Sequence, residues 1–176
     1  SNAIRNFVRD WAIEEDMPFF NARSQEGWLR TLMIRVASTG EVLVVIQFKE
    51  EHAQAREALL KELDDKFPEI TTLQYVINTK QNDTIYDQDI ITYSGPGFIE
   101  EAMPKYSGAG ELRFKIGPKS FYQTNPEQAY ELYKVALDMA EIKKDELVFD
   151  LYTGTGTIAL FMAEQAREVV GIELIP

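Results

Sequence analysis

Apolar positions near the start of the chain recur at helical spacing: Ile4, Phe7, Val8, Trp11 and Ala12. One buried face of an amphipathic helix has this period. The pattern predicts a helix that ends before Pro18, with its aromatic residues in a core. From Trp28 to Val36 the period changes to two, with Leu32, Ile34 and Val36 on one face and Met33 and Arg35 on the other. That is a strand. Ser38-Thr-Gly-Glu41 is a turn signal, and Val42 to Phe48 is β-branched and apolar, so the two runs form a hairpin. Helical spacing returns from Glu50 to Phe67, where Ala55, Leu59, Leu63 and Phe67 make the buried stripe and Pro68 stops the helix.

Leu73, Tyr75 and Ile77 alternate within a strand from Thr71 to Asn78. A turn at Asn82-Asp83 and a short strand from Asp89 to Tyr93 follow, and Ser94-Gly-Pro-Gly97 breaks the strand. Phe98 to Met103 reads as a strand or a connector, Tyr106 to Gly110 as a bend, and Glu111 to Ile116 as a strand. This first half sets helices against an antiparallel sheet. After Gly117-Pro118 the pattern changes. Asn125 suits an N-cap, Pro126 the first helical position and Gln128 a capping box. Ala129, Leu132, Tyr133, Ala136, Leu137 and Ala140 then give one helix a wide apolar face. Beyond it come a strand at Leu147-Val-Phe149, a glycine turn, an apolar helix at Ala159 to Ala163 and a strand at Glu168 to Glu173. The order helix, strand, helix, strand opens a doubly wound α/β domain. Such a domain usually has five or more parallel strands, and two are seen before Pro176, so a fragment of a longer protein is expected. Three segments are therefore expected: a tag remnant over 1–3, a central α+β domain over 4–117 and the first part of an α/β domain over 118–176.

Composition narrows the functional classes. The chain has 176 residues and is 45% hydrophobic, enough to bury a core. No apolar run approaches the roughly 18 residues a membrane span requires, and no signal peptide is visible. Cysteine is absent, so there is no disulfide, cysteine metal ligand or thiol nucleophile. A cytoplasmic location without membrane attachment is expected. Eighteen Lys and Arg against 29 Asp and Glu give a net charge of −11, which opposes non-specific nucleic-acid binding but leaves room for a local basic patch. The single histidine, His52, reads as a solvated surface residue.

The chemistry centres on Asp150-Leu-Tyr-Thr-Gly-Thr-Gly-Thr-Ile158. A strand, a glycine turn and a helix in that order build a nucleotide pocket, because bare backbone comes close to the ligand and the helix start offers free N–H groups. Gly154-Thr-Gly156-Thr-Ile-Ala159 fits the G-x-G-x-x-A form of a dinucleotide fingerprint, so a nicotinamide-dependent oxidoreductase is one reading. A purely structural turn is another. Asp150 before the glycines favours a third: a carboxylate there repels a pyrophosphate but attracts a cationic sulfonium or ammonium group, as in an S-adenosyl-L-methionine site. Glu173, closing the next strand, can accept hydrogen bonds from both ribose hydroxyls.

Ser120-Phe-Tyr-Gln-Thr-Asn125, taken with the Asp150 motif and Val169-Val-Gly-Ile-Glu173, resembles the RNA (uracil-5-)-methyltransferase family, its 23S ribosomal RNA branch in particular. Trp28-Leu-Arg-Thr-Leu-Met-Ile-Arg35, Thr39-Gly-Glu41 and Asn78-Thr-Lys80 also look like that family's central domain. The resemblance implies a Rossmann-like, S-adenosyl-L-methionine-dependent domain over 118–176. It implies methylation of uracil carbon 5 after a cysteine thiolate adds to carbon 6, with a base-flipped RNA substrate. Carried over by position, Gln123 contacts the methyl donor, Tyr152 is the aromatic after the strand, Thr157 is the polar residue after the second glycine, and Glu173 binds ribose. Asp150, Gly154 and Gly156 shape the floor. Thr153 stands where the family often has cysteine. The catalytic cysteine and general base lie beyond this chain in the family, so no catalytic residue is assigned and the fragment alone is expected to be inactive. Arg23, Arg30, Arg35 and Lys80 are candidates for phosphate contact. A transfer RNA substrate and a non-catalytic RNA-binding module remain alternatives. A truncated parallel sheet exposes edges and apolar faces, so self-association is expected. A strictly monomeric mass by light scattering at high concentration would oppose it.

Overall fold

The computed structural model describes residues 1–174. The chain divides into two compact units: Ser1–Ile99 with Gly117–Lys119, and Glu100–Ile116 with Ser120–Pro176. The division falls earlier than the expected boundary after residue 117, because a pair of strands at Ile99–Pro104 and Glu111–Ile116 groups mostly with the second unit.

The first unit holds α1 (Asn2–Glu14), β1 (Leu29–Val36), β2 (Val42–Phe48), α2 (Ala53–Lys66), β3 (Ile70–Ile77) and β4 (Ile91–Ser94). Two of the three residues expected as a tag remnant, Asn2 and Ala3, are the first of α1, and the Ser1 carbonyl accepts from Arg5 N–H at 3.1 Å. The strands form one sheet in the order β1-β2-β3-β4. β1 and β2 are antiparallel, as are β3 and β4, but β2 and β3 run parallel, with Val44 opposite Leu73 and Ile46 opposite Tyr75. The sheet is therefore mixed where an antiparallel one was expected. The cause is α2, which supplies the crossover that a parallel pair requires. α1 and α2 bury Ile4, Val8, Trp11, Leu59, Leu60 and Leu63 in one core with Val44, Ile46, Phe48 and Leu73 of the sheet. Trp28 is fully buried there, stacked on Phe48 at 4.5 Å between ring centroids. His52 is exposed at the N-cap of α2, its ring 6.3 Å from that of Trp28.

The second unit holds β5 (Ile99–Pro104), β6 (Glu111–Ile116), α3 (Pro126–Ala140), β7 (Leu147–Leu151), α4 (Thr157–Met162) and β8 (Glu168–Ile172). The Asn125 side chain caps α3 by accepting from Gln128 N–H at 3.1 Å, with Pro126 as the first helical residue. Phe161 of α4 is the centre of the packing, with the rings of Tyr106, Tyr130 and Tyr133 all 5.7–5.9 Å away. β7 and β8 are parallel neighbours, Asp150 opposite Gly171 and Leu151 opposite Ile172. Leu147, Phe149 and Leu151 project from alternate positions of β7 and are exposed, Phe149 to 58%. Among the described residues, no helix is long and apolar enough to cross a membrane.

Candidate functional site

The glycine turn follows β7 and leads into α4, so it lies at the carboxyl ends of two adjacent parallel strands. In open α/β sheets that is where ligand crevices form. Gly154 and Gly156 both take left-handed backbone angles, φ 55° and 78°. Only glycine adopts these without a steric penalty. Tyr152 takes a left-handed angle as well, φ 63°, and the residue is 86% exposed. A tyrosine held there stores strain of the kind found at binding sites.

Asp150 organises the turn from the strand side. Its Oδ2 accepts from the Thr153 hydroxyl at 2.8 Å and from Ala159 N–H at 3.1 Å. The N-cap of α4 is Gly156, which has no side chain to satisfy the first-turn N–H groups. The Asp150 carboxylate supplies the missing cap from a distance, with the charge sign that a helix start favours. This leaves its Oδ1 without a hydrogen bond among the described residues.

Glu173 closes the site from β8. Its Oε2 accepts from Gly154 N–H and its Oε1 from Leu174 N–H, both at 2.8 Å. Asp150, Tyr152, Gly154, Gly156, Thr157 and Glu173 are thus gathered by one strand-turn-helix-strand unit. Thr157 is half-buried as the first residue of α4. Gln123 is not tied to this group by a hydrogen bond among the described residues: it is exposed in the segment before α3. That segment alternates. Phe121 is exposed and Tyr122 points inward, its ring 6.0 Å from that of Phe114, before Gln123 faces out again. Burial pushes the Tyr122 phenol above its ordinary pKa, and the nearby Glu101 and Tyr133 add to the shift.

Thr153 is the residue that sequence reasoning undervalued. Besides bonding Asp150, it covers Gly171: a Cβ built on Gly171 would lie 2.9 Å from Thr153 Oγ1 and 3.0 Å from its Cγ2. The signal was present, since a glycine inside a strand often marks a close approach. Gly171→Ala is expected to push Thr153 off Asp150 and cost about 1–2 kcal/mol, read as a lower urea midpoint. An unchanged midpoint would mean that the Thr153–Asp150 bond is not under this constraint.

The basic residues expected to meet phosphate are partly committed elsewhere. The Arg30 side chain is only 1% exposed and donates from Nη1 to the carbonyls of Asn78 at 2.9 Å and Lys80 at 2.6 Å, beside Asp83 at 2.9 Å. Its guanidinium also lies 4.4 Å from the Phe20 ring centroid. Arg30 is a structural clamp. The Lys80 ammonium pairs with Asp87 and Thr84, while Arg35 is half-buried and Arg23 exposed.

No family model matches the chain. It is 54% identical over its whole length to an uncharacterized RNA methyltransferase of Porphyromonas gingivalis, covering 37% of that protein. It is 33% identical to another of Oceanobacillus iheyensis, covering 38% of it. The chain therefore spans less than two fifths of the length of these curated relatives. Among solved structures, 96% of the chain superposes on 38% of the Pyrococcus abyssi tRNA (uracil-54, C5)-methyltransferase in complex with S-adenosyl-L-homocysteine, at a TM-score of 0.72 and 25% identity. The mixed α/β fold described above is the fold of that methyltransferase over the matched region.

Proposed function

We propose that this chain is part of an S-adenosyl-L-methionine-dependent RNA methyltransferase that modifies carbon 5 of a uracil, and that its second unit carries the methyl-donor cleft. The observation that supports this most is the 2.8 Å bond between Glu173 and Gly154 N–H. It joins the expected ribose-binding acid to the expected glycine floor across two parallel strands. The donor set suits a cationic donor: two carboxylates, bare backbone and one exposed aromatic ring, with no cationic side chain in the turn to hold a pyrophosphate. Asp150, Gly154, Gly156, Thr157 and Glu173 would hold the donor, with Tyr152 against its flat face and Gln123 reaching it from the segment before α3. When bound, the donor supplies an electrophilic methyl group.

In this reading a thiolate adds to uracil carbon 6, carbon 5 takes the methyl group, and a base removes the carbon 5 proton so that the thiolate can leave. The 176 residues contain no cysteine, so the thiolate belongs to another part of the enzyme. The resemblance carried by Ser120 to Asn125 and Asp150 to Ile158 is to the 23S ribosomal RNA branch of that family, which makes 23S ribosomal RNA the first substrate to test. A transfer RNA substrate is the second reading, favoured by the Pyrococcus abyssi neighbour. Labelled methyl transfer by the longer protein to each purified RNA separates the two. The cleft itself is tested by calorimetric titration of the longer protein with S-adenosylhomocysteine and with NAD. Heat with the first and none with the second is expected, and the reverse would return the turn to the oxidoreductase reading.

A further inference from the structure

Thr153 is half-buried between two residues with left-handed backbone, Tyr152 and Gly154. Its polar groups are all used within the strand-turn-helix-strand unit. The N–H donates to the Ile172 carbonyl at 3.1 Å and ties the turn to the end of β8. The carbonyl accepts from Gly156 N–H at 2.8 Å and closes the turn on itself. The hydroxyl donates to Asp150 Oδ2 at 2.8 Å. A β-branched side chain already has few χ1 choices. Here Gly171 fits against it so closely that a Cβ there would stand 2.9–3.1 Å from Thr153 Oγ1, Cγ2 and Cβ. Two backbone bonds and the bare face of Gly171 thus hold the hydroxyl in one place.

The consequence falls on Asp150. Both of its donors, the Thr153 hydroxyl and Ala159 N–H, meet on the same oxygen, Oδ2. One bond alone lets a carboxylate turn about it; two bonds from different directions fix its plane. Oδ1 is then presented in one orientation, with no hydrogen bond among the described residues. The other carboxylate of the turn is arranged differently, since each oxygen of Glu173 accepts from a backbone N–H, that of Gly154 or of Leu174. Asp150 Oδ1 is thus an acceptor held ready for a cationic group. An acceptor fixed before the ligand arrives binds more tightly, because its ordering cost is already met.

We propose that Thr153 is a positioning residue of the donor cleft: its hydroxyl sets the Asp150 carboxylate so that Oδ1 meets a cationic group of the methyl donor. The donor as ligand rests on the methyltransferase reading; the lock of Thr153 on Asp150 does not. Calorimetric titration of the longer protein with S-adenosylhomocysteine tests it. Thr153→Val keeps the shape against Gly171 without the hydroxyl and is expected to weaken binding about 5- to 10-fold. Thr153→Ser, which keeps the hydroxyl, returns affinity to within about twofold of the parent. In an Asp150→Ala background Thr153→Val changes affinity less than about twofold, because the group it positions is gone. A merely structural threonine would give additive losses instead. Parent-like affinity in Thr153→Val, an equal loss in Thr153→Ser, or an undiminished effect in the Asp150→Ala background overturns the proposal and leaves the cleft standing. If the parent gives no heat, the donor cleft itself fails. The lock is then judged without ligand by amide exchange, where an Ala159 amide indifferent to Thr153→Val overturns it too.

Discussion

Arg30→Ala lowers the stability of the chain by about 3 kcal/mol or more. Two backbone carbonyls, those of Asn78 and Lys80, lose a charged donor, and each such bond contributes about 1.5–3 kcal/mol. The side chain also fills the space against Phe20, so its removal leaves a gap and an Asn78 carbonyl without its charged donor, while the Lys80 carbonyl keeps Lys49 Nζ at 3.0 Å. Asp83 is 71% exposed and recovers its hydration, which keeps the loss from being larger. Arg30→Lys rescues only part of it, because one ammonium cannot reproduce a planar fork that serves two carbonyls and a carboxylate at once. Urea denaturation of the three proteins measures this. If Arg30→Ala unfolds at the parent's midpoint, Arg30 is not the clamp that its burial implies. Because the same contacts hold the loop after β3, amide exchange in residues 79–89 should quicken in Arg30→Ala.

The second large effect falls on the glycine turn. Asp150→Ala removes the acceptor for both the Thr153 hydroxyl and the Ala159 N–H. α4 has only six residues and a glycine N-cap, so little else holds its first turn. Loss of two charge-assisted bonds is expected to loosen the turn and weaken S-adenosylhomocysteine binding about 10- to 100-fold by calorimetry. Asp150→Asn keeps one acceptor oxygen and should fall between. Exchange of the amides from Gly154 to Leu160 should accelerate in the same order. A titration of Asp150→Ala that overlays the parent's would leave the carboxylate no part in shaping the cleft.

What the residues announced, and what they concealed, follows from how local each feature is. The cap at Asn125, the stop before Pro68 and the β-branched run of β2 depend on neighbours a few positions away, so their patterns predict them. The turn from Asp150 to Ile158 was legible for the same reason: glycine spacing fixes its backbone. The parallel pairing of β2 with β3 was not, since alternation reports a strand without its direction. Nor was the grouping of β5 and β6 with the second unit. Arg30 reads in the sequence as a candidate for phosphate contact, because its burial depends on Phe20 on one side and Asn78 and Lys80 on the other. Thr153 was passed over because its role depends on Gly171, opposite in the sheet to Asp150.

The direction of the β2–β3 pair also sets an order of assembly on the ribosome. β1 and β2 can zip together once Phe48 has left the exit tunnel, but β2 meets its other neighbour only after α2 and β3 have been synthesised through Ile77. Until then Val44, Ile46 and Phe48 present an open strand edge and an uncovered apolar face. A translational pause between Glu50 and Pro68 would prolong that exposure, and nascent-chain aggregation should rise with it.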